Sequence, residues 1–155
     1  ANDLAAAHVP VVAGAMNNIP SSFQTLNQRQ ENLGILSKAG VTTAIVGNNG
    51  DGDEELFNVR NVKYEAGNAV AYGMTHDAAL RAVTLAPAEM FGVADHVGSL
   101  QPGRDANVVI WSGDPFEFST HAEHVYIHGR DVIAPSRQDM LTQRYKTLPP
   151  KYSQP

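Results

Sequence analysis

Two short apolar runs, separated by a helix-length stretch, constrain this chain more than any other feature. Val9 to Ala13 (VPVVA) and Thr42 to Val46 (TTAIV) are strand-sized and lack polar alternation. Runs of that kind read as strands covered on both faces. Pro10 sits near the start of the first, where a missing N–H does least harm to a ladder. Asn17 to Ser22 reads as a loop, and a helix is expected from about Gln24 to Ala39. Its inward positions are Leu26, Leu33, Leu36 and Ala39, and Gly40 provides the stop. The order strand, helix, strand, with both strands buried, predicts a parallel sheet of α/β units.

After the second run comes a Gly- and Asn-rich loop, Gly47 to Gly52, and then a predicted helix from Asn58 to Gly73. Val62, Ala66, Ala69 and Val70 form its inner face. Thr75 reads as the N-cap of the next helix, with Asp77 in the first turn at the positive end of the dipole. Leu80 and Val83 are expected to continue the inward face. Pro87 is expected to be the first residue of a further short helix ending near Gly92.

From there the texture changes. Pro102-Gly103 combines a preset φ with a residue that accepts positive φ, so the chain reverses. Asn107 to Trp111 reads as a buried strand, stopped by Gly113-Asp114-Pro115. Two further short strands, Val125 to Ile127 and Val132-Ile133, flank the tight turn His128 to Asp131. A short helical pattern with Met140, Leu141 and Tyr145 follows Ser136, and Pro149-Pro150 ends regular structure. These changes divide the chain into residues 1–93, 94–135 and 136–155.

Composition narrows the partners. A net charge of −5 with scattered Lys and Arg argues against nucleic acid. No apolar run approaches the about 20 residues of a membrane-spanning helix, so no membrane partner is expected. There is no cysteine, hence no disulfide or thiolate metal site. No secretory signal is visible, and absence of Cys suits cytoplasm and periplasm alike, so the compartment is left open.

Three segments carry a family resemblance: YEAGNAVAYGMTHDAALRAVTLAPAEMFGV, GSLQPGRDANVVIWSGDP and HVYIHGRDV, the last followed by the tail SRQDMLTQRY. Together they resemble the C-terminal portion of a metal-dependent amidohydrolase, of the imidazolonepropionase-like and prolidase-like kind. The resemblance runs from about Val9 to Tyr145. It implies an α/β fold in which the two apolar runs are the last two strands of a (β/α)8 barrel. Residues 94–135 would then be the C-terminal half of a small composite β-domain.

A complete barrel takes about 250 residues, so residues 1–93 provide two strand–helix units at most. Two strands cannot close a barrel, and their open edges need partners. The chain is therefore expected to be a segment of a longer protein, one subunit of a composite assembly, or a cut-down relative that self-associates as a homo-oligomer. The partner is accordingly the remainder of an amidohydrolase chain, a partner subunit or a second copy.

In complete family members the resemblance implies one or two divalent ions, Zn²⁺ or similar, that activate water for hydrolysis of C–N bonds. His-x-His, the usual opening metal element, occurs nowhere in this sequence. No cofactor is therefore expected for this chain by itself, which should be inactive alone. The family's usual aspartate aligns with Asn48, which hydrogen-bonds but cannot serve as a carboxylate base. Asp51 and Asp53 are the alternative candidates for metal ligation or proton transfer, although a solvated Gly-Asp loop is the favoured reading.

Among the histidines, His121, His124 and His128 have spacings that permit a metal pair, although polar strand ends are the favoured reading. His8, His76 and His96 lie before a strand, at a helix start and in a turn. Arg60, Tyr64 and Glu65 fall near the expected barrel mouth, where helix-surface packing is favoured over substrate binding. The contrasting function class is a non-catalytic assembly module that covers its sheet edges by self-association.

Overall fold

The computed structural model describes residues 1–47, 59–132 and 134–146 of the 155. A one-turn helix α1 (Asn2–Ala6) leads into strand β1 (Val11–Ala13), and a 3₁₀ turn covers Phe23–Thr25. Helix α2 (Asn32–Lys38) and strand β2 (Thr43–Ile45) follow. A 3₁₀ turn at Val59–Asn61 runs directly into α3 (Val62–Ala71), then α4 (His76–Ala82) and α5 (Leu85–Met90). Three antiparallel strands come next: β3 (Val108–Trp111), β4 (Ala122–Ile127) and β5 (Arg130–Asp131). Helix α6 (Arg137–Tyr145) closes the described chain.

β1 and β2 pair in parallel, in the register Val11–Thr43, Val12–Ala44 and Ala13–Ile45. That is the α/β arrangement expected from the two apolar runs. Among the described residues no further strand joins the pair, and there is no closed barrel. The core lies where the helices cover it: Ala15, Leu33, Ile45, Ala66, Ala69, Met74, Ala79 and Ala82 are all buried. Five of those eight are alanine, so the elements sit close together. The tightest approach is at Gly34, where a Cβ would lie 2.9 Å from backbone atoms of Tyr72 and Gly73.

Several sequence expectations need correcting. The helix expected over 24–39 is two pieces: the 3₁₀ turn, then α2 starting at Asn32. Thr25 closes the first turn on Ser22 by reciprocal capping. Leu26 is 61% exposed, so no buried face holds that half in an α-helix. The helix expected over 58–73 is shorter, because Val59–Asn61 winds as 3₁₀. Leu80 points outward, and Ala79 and Ala82 take the inward face of α4. Pro87 is the third residue of α5 rather than the first, still within the turn whose N–H groups have no helical partner.

Local signals that name a specific hydrogen bond hold. Thr75 Oγ1 accepts from the Ala78 N–H at 3.2 Å. Gly40 has φ +82°, and the Gln101–Arg104 turn closes at 3.2 Å with Gly103 at φ +87°. The hairpin between β4 and β5 turns through His128 and Gly129, both at positive φ as a two-residue turn with the twist of its strands requires. Its second arm is Arg130–Asp131 rather than Val132-Ile133, and Ile133 lies outside the described residues. Strand β3 occupies the expected place, but Val109 and Ile110 are 40% and 43% exposed, so it is not buried.

Candidate functional site

Ligands of parallel α/β units bind beyond the carboxyl ends of the strands, where loops lead into helices. In this chain that end is formed by the loop Gly14 to Asn18 after β1 and by Val46-Gly47 after β2. The candidates Asn48, Asp51 and Asp53 continue from β2 and lie outside the described residues.

The β1 loop is held from α3. Glu65, only 2% exposed, accepts the backbone N–H groups of both Ala15 and Met16 on its Oε2, each at 2.6 Å. One helical turn on, Asn68 donates from Nδ2 to the Ala15 carbonyl at 2.6 Å and to Gln30 Oε1 at 3.3 Å. Residues three apart share a helix face, so the two side chains straddle the Ala15 peptide. A buried carboxylate is costly unless hydrogen-bonded, and two N–H donors meet that need. The loop adds its own ties: Asn18 Nδ2 donates to the Gly14 carbonyl at 3.0 Å, and Asn17 takes φ +60°.

The sequence reading placed Glu65 among residues more suited to helix-surface packing; its burial corrects that. The available signal is its setting, with Ala66, Gly67 and Ala69 all small. Small neighbours let a helix approach closely enough to cover a carboxylate. Arg60 is exposed in the middle of the 3₁₀ turn, and Tyr64 stacks on Phe118 with ring centroids 4.6 Å apart.

Beside the loop runs an open crevice of about 310 Å³ between α3, the start of α4 and the segment joining β3 to β4. Met16, Tyr64, His76, Asp114 and Phe118 line it. Asp114 Oδ1 accepts the Phe116 N–H and Oδ2 meets His76 Nε2, both at 2.9 Å. The Phe116 N–H first, and then His76, hold the Asp114 carboxyl below the ordinary aspartate range. Phe116 itself packs so closely that a Cβ on Gly67 would lie 3.0 Å from its carbonyl oxygen.

The remaining histidines stay apart. His121 Nδ1 lies 3.2 Å from Ser112 Oγ, His124 pairs with Asp131 at 3.2 Å, and His128 stands 3.8 Å from Asp105. Each of His121, His124 and His128 thus meets a different non-histidine partner. Among the described residues no three His, Asp or Glu side chains could together hold a metal ion. The described residues thus do not fit a divalent ion by themselves.

The family model for the amidohydrolase family matches residues 4–136. The chain belongs to the amidohydrolase family. "Amidohydrolase tasK" of Hapsidospora irregularis is 35% identical over 77 residues, which are 50% of this chain and 8% of that protein. The crystal structure of an amidohydrolase from Thermotoga maritima superposes with a TM-score of 0.73 at 30% identity, covering 86% of this chain and 34% of that one. An adenosine deaminase from Xanthomonas campestris, solved with bound zinc, has a TM-score of 0.52 at 21% identity, covering 92% of this chain and 38% of that one. The last likeness is one of fold alone. This amidohydrolase-family chain thus spans about a third of the solved structures it resembles.

Proposed function

We propose that this chain is the C-terminal segment of an amidohydrolase-like protein that hydrolyses C–N bonds in non-peptide amides, cyclic amides or Xaa-Pro dipeptides. In this reading β1 and β2 are the last two strands of a (β/α)8 barrel, and β3 to β5 are the C-terminal half of a composite β-domain. The catalytic ion, Zn²⁺ or similar, is held mainly by ligands from the rest of the assembly. The observation that carries the reading is the parallel β1–β2 pair, unpaired by other described strands, whose carboxyl end is shaped by Glu65 and Asn68. A barrel wall built this way supplies one side of a mouth and cannot enclose a reacting centre alone.

The 155-residue chain should show no hydrolysis of N-acyl amino acids, cyclic amides or Xaa-Pro dipeptides with added Zn²⁺. Elemental analysis should find no stoichiometric metal. Turnover, or retention of one ion per chain after dialysis, would overturn the reading. A second reading, a non-catalytic assembly module, draws on the exposure of Val109, Ile110 and Ile127 along the antiparallel sheet.

A further inference from the structure

Three hydrogen bonds from α3 grip the main chain at Ala15 and Met16. Glu65 takes two successive N–H groups on a single oxygen, and Asn68 takes the carbonyl between them. Two adjacent N–H groups converging on one point form the concavity by which backbone binds anions. Here the anion belongs to the protein. We infer that Glu65 and Asn68 are positioning residues that fix the strand-exit loop Gly14 to Asn18 in the conformation used at the barrel mouth.

This inference rests on the proposed function only in calling that loop part of a mouth. The clamp itself follows from the geometry. Asn17 takes φ +60°, a left-handed conformation that Asn adopts more readily than most residues with a Cβ. Just before it, the Ala15–Met16 peptide is gripped on both its N–H and its carbonyl. Glu65 and Asn68 also join the loop to α3, and α3 carries Tyr64 and Gly67 against Phe118 and Phe116. Loop and crevice are therefore registered to the same helix.

Leucine and glutamine at position 65 separate positioning from space-filling. Leucine fills the volume and offers no acceptor, whereas glutamine retains a carbonyl oxygen. In ¹⁵N-labelled full chain, Glu65→Leu should raise amide exchange at Ala15 and Met16 at least tenfold relative to Ala44, Ile45 and Ala69. Glu65→Gln should keep most of that protection. Its two amide protons should move upfield because a neutral acceptor polarises N–H less than a carboxylate.

Unchanged exchange at both amides in Glu65→Leu, or an equal rise throughout the core, would sink the clamp. Should that variant not fold, unshifted Ala15 and Met16 amide protons in folded Glu65→Gln would sink it equally. Hydrolysis by the wild-type chain would instead remove the proposed function and leave these exchange results standing.

Discussion

The helical body around β1 and β2 and the antiparallel sheet β3–β5 satisfy the same physics very differently. The first buries Leu33, Ile45 and Met74 with a set of alanines beneath α2 to α5. From residue 94 onward the only buried residue among those described is Thr120. Both regions are rich in apolar side chains, yet only one has a second layer to cover them. A three-stranded sheet becomes stable by resting one face on something. The comparison teaches that this sheet is attached to the body chiefly through one segment, residues 112–121, docked on α3 and α4. Lys63 Nζ donates to the Thr120 carbonyl at 3.0 Å and lies over the Trp111 ring, completing that attachment.

The largest expected effect sharpens the contrast directly. Leu33→Ala should cost about 2–5 kcal/mol, because the fully enclosed side chain leaves a cavity among tightly packed neighbours. Ile110→Ala should cost about 0.5 kcal/mol or less by comparison. Urea midpoints of the two variants decide it, and equal losses would mean that β3 is covered after all. Next in size is association. The wild-type chain should sediment as more than a monomer, and Ile110→Asp should weaken that association at least tenfold. A wild-type monomer at micromolar concentration would break the idea that the sheet seeks a partner.

The smallest effect concerns the seam between the regions. The folded Asp114 carboxyl sits below its unfolded value, so its contribution is fully present above the unfolded value of about pH 4. It is lost as pH falls through the lower folded value. Asp114→Asn should therefore lower the urea midpoint slightly at pH 7, and the difference from wild type should shrink as pH falls through the carboxyl's lowered folded value. Both partners of the pair are substantially exposed, which keeps the effect small. A difference that grows toward acid would contradict this assignment.

Features encoded within a few residues were legible from the amino-acid order. Thr75, Gly40 and the Pro102-Gly103 reversal each specify a local bond or φ, and each lies where expected. The β1–β2 pairing was legible because two unalternating apolar runs leave few other arrangements. What depends on distant contacts was not. Leu26 has the right spacing for a helix but nothing to pack against. Leu80 loses the inner face of α4 to Ala79 and Ala82, which hold its buried positions. Val109 and Ile110 were expected to be covered, since composition alone cannot say whether the covering layer lies within the same described residues. Glu65 was the largest omission: its role is set by peptide groups fifty positions away. The proposed catalytic positions Asn48, Asp51 and Asp53 lie outside the described residues and have no bearing on that comparison.

The grip on Ala15 and Met16 has a consequence for how such a mouth can change over time. Because Glu65 and Asn68 on α3 bond peptide groups, those bonds do not depend on which side chains the loop carries. In the proposed barrel reading, substitution of the Met16 side chain leaves the two backbone bonds to Glu65 available, so the loop can vary in chemistry while keeping its course.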